Sequence, residues 1–123
     1  ECNSEHIEVI KPGKDGNFVA IANEFNSPKM KKYNNYGVDN WKAEERYLTA
    51  YKSLKENKDG LSIELAKDIL SGKYGFMCQY DRKTNADTVW SVIYDIRNKK
   101  IYRVEGNPSR KQFKEDKRMK FVV

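Results

Sequence analysis

The chain is poor in the residues that build metal sites and disulfide frameworks. It has one histidine, His6, and two cysteines, Cys2 and Cys78, in 123 residues. No CxxC pair occurs, so no metal-ligand set can be read and no cofactor is expected. A Cys2–Cys78 disulfide stays open, and a reduced cytoplasmic protein fits equally well. No apolar run nears the roughly 20 residues of a membrane span. No signal peptide is visible, and the first residue is not Met, so targeting cannot be judged. Gly72, Gly75 and Gly106 form no phosphate-cradling loop.

What is present is charge. Lys and Arg total 24 against 18 Asp and Glu, a net charge of +6 with pI about 9.2. A basic balance can signal nucleic acid or an anionic membrane. Here the lysines are scattered among acids. Runs such as Lys29-Met30-Lys31-Lys32 and Lys111-Gln112-Phe113-Lys114 are short and mixed with apolar residues. They read as a solvated surface, with neither nucleic acid nor membrane as partner. Lys31-Lys32-Tyr33 with Tyr36 is a weak single-strand signal. A mass of 14.4 kDa with 38% hydrophobic residues suits one compact domain, or a piece of something larger.

Residues 5–10 alternate and are β-branched, a strand pattern. Pro12-Gly13 and Asp15-Gly16 mark a turn, and residues 18–22 read as the second arm of a hairpin. Residues 24–40 form a long polar loop. Asn40 is placed to cap a helix over 41–56, with Ala43, Tyr47, Ala50, Tyr51 and Leu54 on one face. Ser62 is placed to cap a second helix through Ser71, stopped by Gly72. The short link favours antiparallel neighbours. After a loop over 73–87, residues 88–96 form the strongest strand. Asn98-Lys99 turns the chain, and residues 101–104 return antiparallel. Phe113, Met119 and Phe121 could anchor the tail. The order predicts an α+β fold: an antiparallel sheet packed by a helix pair. Both long strands carry apolar residues on both faces, which points to a missing layer.

Candidate chemistry is sparse. Cys2 invites comparison with an N-terminal nucleophile, but Glu1 precedes it, and a half-buried thiol near a strand explains it better. Cys78 has no histidine near it in sequence. Glu44-Glu45 and Glu115-Asp116 are sequence neighbours, which do not face each other on a helix. Asn23 ends a strand of small residues, and Arg46 borders the apolar stripe of the first helix. A turn asparagine and a snorkelling surface arginine account for both without any function.

Four ordered stretches change that weighting. They are Phe18-Val19-Ala20-Ile21-Ala22-Asn23-Glu24-Phe25, then Ala43-Glu44-Glu45-Arg46-Tyr47, then residues 87–95, then residues 101–109. Together they resemble the C-terminal part of the linear amide C–N hydrolases, the choloylglycine hydrolase and penicillin V acylase family. They also resemble the related acyl-coenzyme A:6-aminopenicillanate acyltransferases. The first stretch is similar to a Thr-Asn-X-Phe-like signature, the second to a Ser-X-X-Arg-Phe/Tyr signature.

The resemblance implies part of an αββα Ntn-hydrolase sandwich. Residues 1–123 would then be a single C-terminal domain or fragment, with the N-terminal half of the same protein as its partner. It implies a cysteine nucleophile outside this chain and a small-molecule amide substrate. It implies Asn23 as the oxyanion-hole amide and Arg46 beside the nucleophile, and an isolated chain without turnover. Ala22 stands where the family usually has Thr, and Glu45 where it often has a small residue. Either could mark a shifted pocket or a copy that has lost activity. A non-catalytic scaffold and a nucleic-acid module are the other readings. Homo-oligomerisation and the choice of hydrolysis or transfer stay open.

Overall fold

A computed structural model describes residues 1–14, 16–35, 41–80, 83 and 86–118. The chain divides into two compact units, Glu1–Gly60 and Leu61–Val123. The fold is α+β, as the element order predicted. It contains helices α1 (Ala43–Glu56) and α2 (Ile63–Leu70), and strands β1 (Trp90–Asp95), β2 (Lys100–Glu105) and β3 (Lys114–Glu115). No helix among the described residues is long and apolar enough to cross a membrane.

In the first unit the expected hairpin does not form. Residues 5–10 and 18–22 join no ladder. The chain instead closes a tight bridge between Cys2 and Ile7. Asn3 N donates to His6 O at 2.9 Å and Glu8 N to Glu1 O at 2.7 Å. The reason lies in burial. Ile7, Val9 and Ile21 are largely exposed, so their β-branched side chains have no surface to pack on within this unit. A strand's alternation carries weight only where one face is covered.

Helix α1 begins at Ala43, not Trp41. Its N-cap is Lys42, in the left-handed region, with no side-chain cap; Asn40 lies outside the described residues. Ala43 is buried as expected, while Tyr47, Ala50, Tyr51 and Leu54 are half-buried. Thr49 and Ser53 are buried too, which hydropathy alone did not foretell. Ser53 Oγ satisfies itself by donating to Thr49 O at 2.7 Å. The expected loop over 24–40 contains a 3₁₀ turn, Lys31–Tyr33, entered through the fully buried Met30.

In the second unit Ser62 caps α2 as read, its Oγ accepting from Leu65 N at 3.1 Å. Leu65 and Ile69, one helical turn apart, are buried, and α2 packs on β1. Gly72 follows at φ +80°, and Gln79 packs where a Cβ would stand. β1 and β2 pair antiparallel from Trp90↔Glu105 to Asp95↔Lys100. The turn between them is held by Asp95, which accepts from Asn98 N and Nδ2 at 3.1 and 2.7 Å. Each face of this hairpin buries part of its apolar set: Ile93 and Val104 lie on one face, and Ile101 on the other, which also carries Trp90 and Tyr94. Ile93, Ile101 and Val104 lie in the core, while Trp90, Tyr94 and Ile96 are exposed. β3 pairs with β2 through Tyr102↔Glu115 and Arg103↔Lys114. Phe113 is half-buried; Met119 and Phe121 lie outside the described residues.

The segment after β2 is tied back by Asn107, which is 2% exposed. Its Nδ2 donates to Cys78 O and to Asp87 Oδ1, and its Oδ1 accepts from Ser109 N and Oγ. Every hydrogen-bonding site of the amide is used, which is what burial of an amide requires. The Asn107 bond, together with Arg110, holds the Asp87 carboxyl well down, to about 2. Arg118 does the same for Asp116, also to about 2.

Two outcomes are expected. Asn107→Ala leaves Asp87 and the Cys78 carbonyl without their donor and should cost about 2–4 kcal/mol in denaturant unfolding. For Asp87 the folded pKa lies below the ordinary value of 3.8. Its stabilisation is therefore complete above that value and is lost as pH falls toward 2. Thermal melts from pH 5 to 2 should show that loss, and Asp87→Asn should flatten it.

Candidate functional site

The candidate site sits in the first unit, where a clamped loop meets the start of α1. The loop is fixed from two sides. The Glu1 carboxylate accepts from Asn26 N at 2.8 Å and Ser27 N at 3.1 Å. Partial burial works to raise the Glu1 pKa, but these amide bonds bring it below its usual value. On the other side, the Asn34 side chain brackets Phe25. Its Oδ1 accepts from Phe25 N and its Nδ2 donates to Phe25 O, both at 2.8 Å. With residues 25–27 held this way, Asn23 is delivered to the surface just before them.

Arg46 comes to the same place from the first turns of α1. Its Nη2 donates to Asn23 Oδ1 at 2.8 Å, and its Nε donates to Trp41 O at 2.9 Å. The two residues singled out from sequence, 23 positions apart, are thus in direct contact. A guanidinium has only donors, so it fixes which end of the amide faces it. The Asn23 Nδ2 donor is turned away, and no protein acceptor among the described residues takes it. Asn23 is exposed and Arg46 half-buried. The result is an oriented amide N–H₂ at the surface, beside a fixed positive charge.

Sequence reading missed the backbone that makes this possible. Trp41 and Lys42 both have positive φ, 59° and 55°. Neither is glycine or asparagine, so two consecutive left-handed residues carry strain of roughly 1–2 kcal/mol each. The Arg46 bond to the Trp41 carbonyl helps hold that bend. No glycine or Asn-Gly signal marked the position, which is why it was illegible. Glu45, beside Arg46, pairs with Lys42 at 3.4 Å.

The cysteines are placed less favourably. Cys2 is exposed and sits in the bridge to Ile7. Cys78 belongs to the second unit and is buried; burial raises its thiol pKa, against hydrogen bonds from Ser109. A protonated, buried thiol is a poor nucleophile. His6 packs on Tyr33, ring centroids 5.0 Å apart, and bonds to its hydroxyl. Among the described residues no three His, Cys, Asp or Glu side chains group as a metal site.

A model of the acyl-coenzyme A:6-aminopenicillanic acid acyl-transferase family matches residues 1–110. The chain belongs to that family. The match covers both the Asn23 loop and α1, and runs on through β1 and β2. The acyltransferase side of the motif resemblance is therefore the family; the choloylglycine hydrolase side rests on motif likeness alone. No curated protein and no solved structure matches the chain.

The strained entry to α1 gives a direct test. Lys42→Gly removes the Cβ conflict and should raise stability by roughly 1 kcal/mol in denaturant melts. A residue held in unstrained backbone would instead be destabilised by the change.

Proposed function

We propose that this chain supplies the oxyanion side of an acyl-transfer site that works on a small-molecule amide, with a cysteine nucleophile from a segment outside it. The observation that carries this reading is the 2.8 Å bond from Arg46 Nη2 to Asn23 Oδ1. Membership of the acyltransferase family supports an acyl-transfer function in general.

In this reading a cysteine thiolate attacks the carbonyl carbon of the amide. The carbonyl π pair moves onto oxygen, and Asn23 Nδ2 donates to the anion that forms. Such a donor gains strength as charge develops, so it lowers the transition state more than the ground state. Collapse breaks the C–N bond, and the leaving amine takes a proton. The acyl thioester is then taken by an acceptor amine, or by water. Arg46 holds Asn23 in register and favours the thiolate by its charge. Glu45, the acidic neighbour of Arg46, pairs with Lys42 at 3.4 Å. The buried, protonated Cys78 and the exposed, bridged Cys2 support a nucleophile elsewhere. The exposed Trp90, Tyr94 and Ile21 support further protein covering these faces, in the manner of an αββα sandwich.

Two measurements test this. The coding sequence upstream of Glu1 should specify a cysteine after a processable bond; a reading frame that starts at Glu1 would sink the proposal. In the full-length protein, Asn23→Ala should slow acyl transfer roughly a hundredfold or more with folding intact. Arg46→Lys keeps the charge but loses the two-pronged bond, so it should fall between wild type and Asn23→Ala. Unchanged rates in a folded Asn23→Ala protein would make the chain a scaffold. The 123 residues alone should show no turnover.

A further inference from the structure

In the second unit β2 runs on past β3. The pairing covers Tyr102 and Arg103, while β2 continues to Glu105. Backbone groups of an antiparallel strand point alternately to its two sides. Gly106 N donates to Val89 O at 2.7 Å, toward β1, and Ile101 O accepts from Asp116 N at 2.8 Å, on the β3 side. Ile101, Arg103 and Glu105 therefore face the β3 side, and no strand among the described residues pairs with Glu105 there. An open stretch of sheet edge is a place where another chain can pair. A groove of about 790 Å³ lies along it, and much of its wall, residues 111–118, is beyond the family match that ends at residue 110.

The charges of this groove are unevenly committed. Asp116 pairs with Arg118 at 2.9 Å, Glu105 with Arg118 at 3.3 Å, and Glu115 with Lys100 at 3.5 Å. Lys111, Lys114 and Lys117 line the groove, and none has an acidic partner among the described residues. Lys114 stands directly opposite Arg103, where like charges repel. Arg103 Nε is buried without a hydrogen-bond partner, and Glu105 Oε1 at 3.7 Å is too far to accept. Lys111 lies across Gly106, within 3.0–3.2 Å of where a Cβ would be, which places its ammonium at the end of β2.

We infer that this edge docks an extended acidic segment of a partner protein, which adds as a short strand beside Glu105 and sets its carboxylates on Arg103, Lys111 and Lys114. Strand addition supplies main-chain bonds, and alternate side chains, about 7 Å apart on one face, supply specificity. A small anion or a nucleic acid would answer the cations but would leave the open backbone edge unused. An extended acidic segment answers both. Neither Asn23 nor Arg46 takes part, so the surface does not depend on the acyl-transfer reading.

The test is fluorescence anisotropy of the full-length protein with a labelled peptide of alternating Glu and Val. That peptide should bind, and its counterpart with Gln for every Glu should bind at least about tenfold more weakly, since charge-assisted bonds are lost. N-methylation of alternate amides keeps the charge and removes donors from one edge. One of the two alternate series should weaken binding at least about tenfold, and the other should bind as the parent does. Lys111→Gln with Lys114→Gln should weaken the parent peptide by at least about tenfold. Because Lys114→Gln relieves the repulsion with Arg103, that variant should melt no lower than wild type, which separates a lost surface from a lost fold. Lys11→Gln with Lys14→Gln is the control and should bind as wild type. No binding of the Glu-Val peptide, equal binding of the Gln-Val peptide, indifference to both N-methylated series, or equal weakening in the control would each overturn the assignment. So would tighter binding of a single-stranded oligonucleotide or of phosphatidylserine vesicles.

Discussion

The Arg46 guanidinium makes two bonds at once, and the candidate site depends on that geometry. One nitrogen reaches the Asn23 side chain and another the Trp41 carbonyl. The Trp41 bond fixes the guanidinium in place. A donor-only partner fixes its oxygen inward and its nitrogen outward. The same side chain holds a bend that its own backbone disfavours, since Trp41 and Lys42 are both left-handed. Strain stored where an element begins and a functional side chain is aimed has a use: it sets direction. The loop side is equally braced, by Glu1 on the amides of residues 26 and 27 and by Asn34 on residue 25. An exposed asparagine can then be well ordered without being buried.

The second unit follows the same economy with different parts. It has a small apolar core of α2 against β1, and one buried amide, Asn107, that collects four hydrogen bonds from three segments. Charge is handled locally as well: Asp87 and Asp116 are both held ionised by neighbours two to about twenty residues away. The groove beside β3 is the exception, because there the cations outnumber the partners offered to them.

Some of this was legible in the residues. Ser62 read correctly as a cap because a hydroxyl three residues before an orphan amide is a local signal. The β1–β2 hairpin was legible from alternation and from Asp95 and Asn98, whose bonds are also local. Asn23 and Arg46 were picked out by motif likeness, not by periodicity, which favoured a turn residue and a surface arginine. Their contact was not derivable, since nothing local links positions 23 apart. The hairpin over residues 5–22 misled because alternation was read as pairing, and Ile7 and Ile21 find no cover in this unit. β3 is two residues long, too short for any pattern, and exists because β2 offers it an edge.

The sequence by itself determined the two helices, the β1–β2 hairpin, their order and the family, and it singled out Asn23 and Arg46. Those properties come from short-range chemistry: capping, turn formation, side-chain alternation and motif spacing. Tertiary structure alone decided that Arg46 reaches Asn23, that the Asn23 nitrogen faces outward, and that Trp41 and Lys42 bend the wrong way. It alone set Lys114 against Arg103. These are orientations and long-range encounters, and they depend on where the whole chain places two distant backbones.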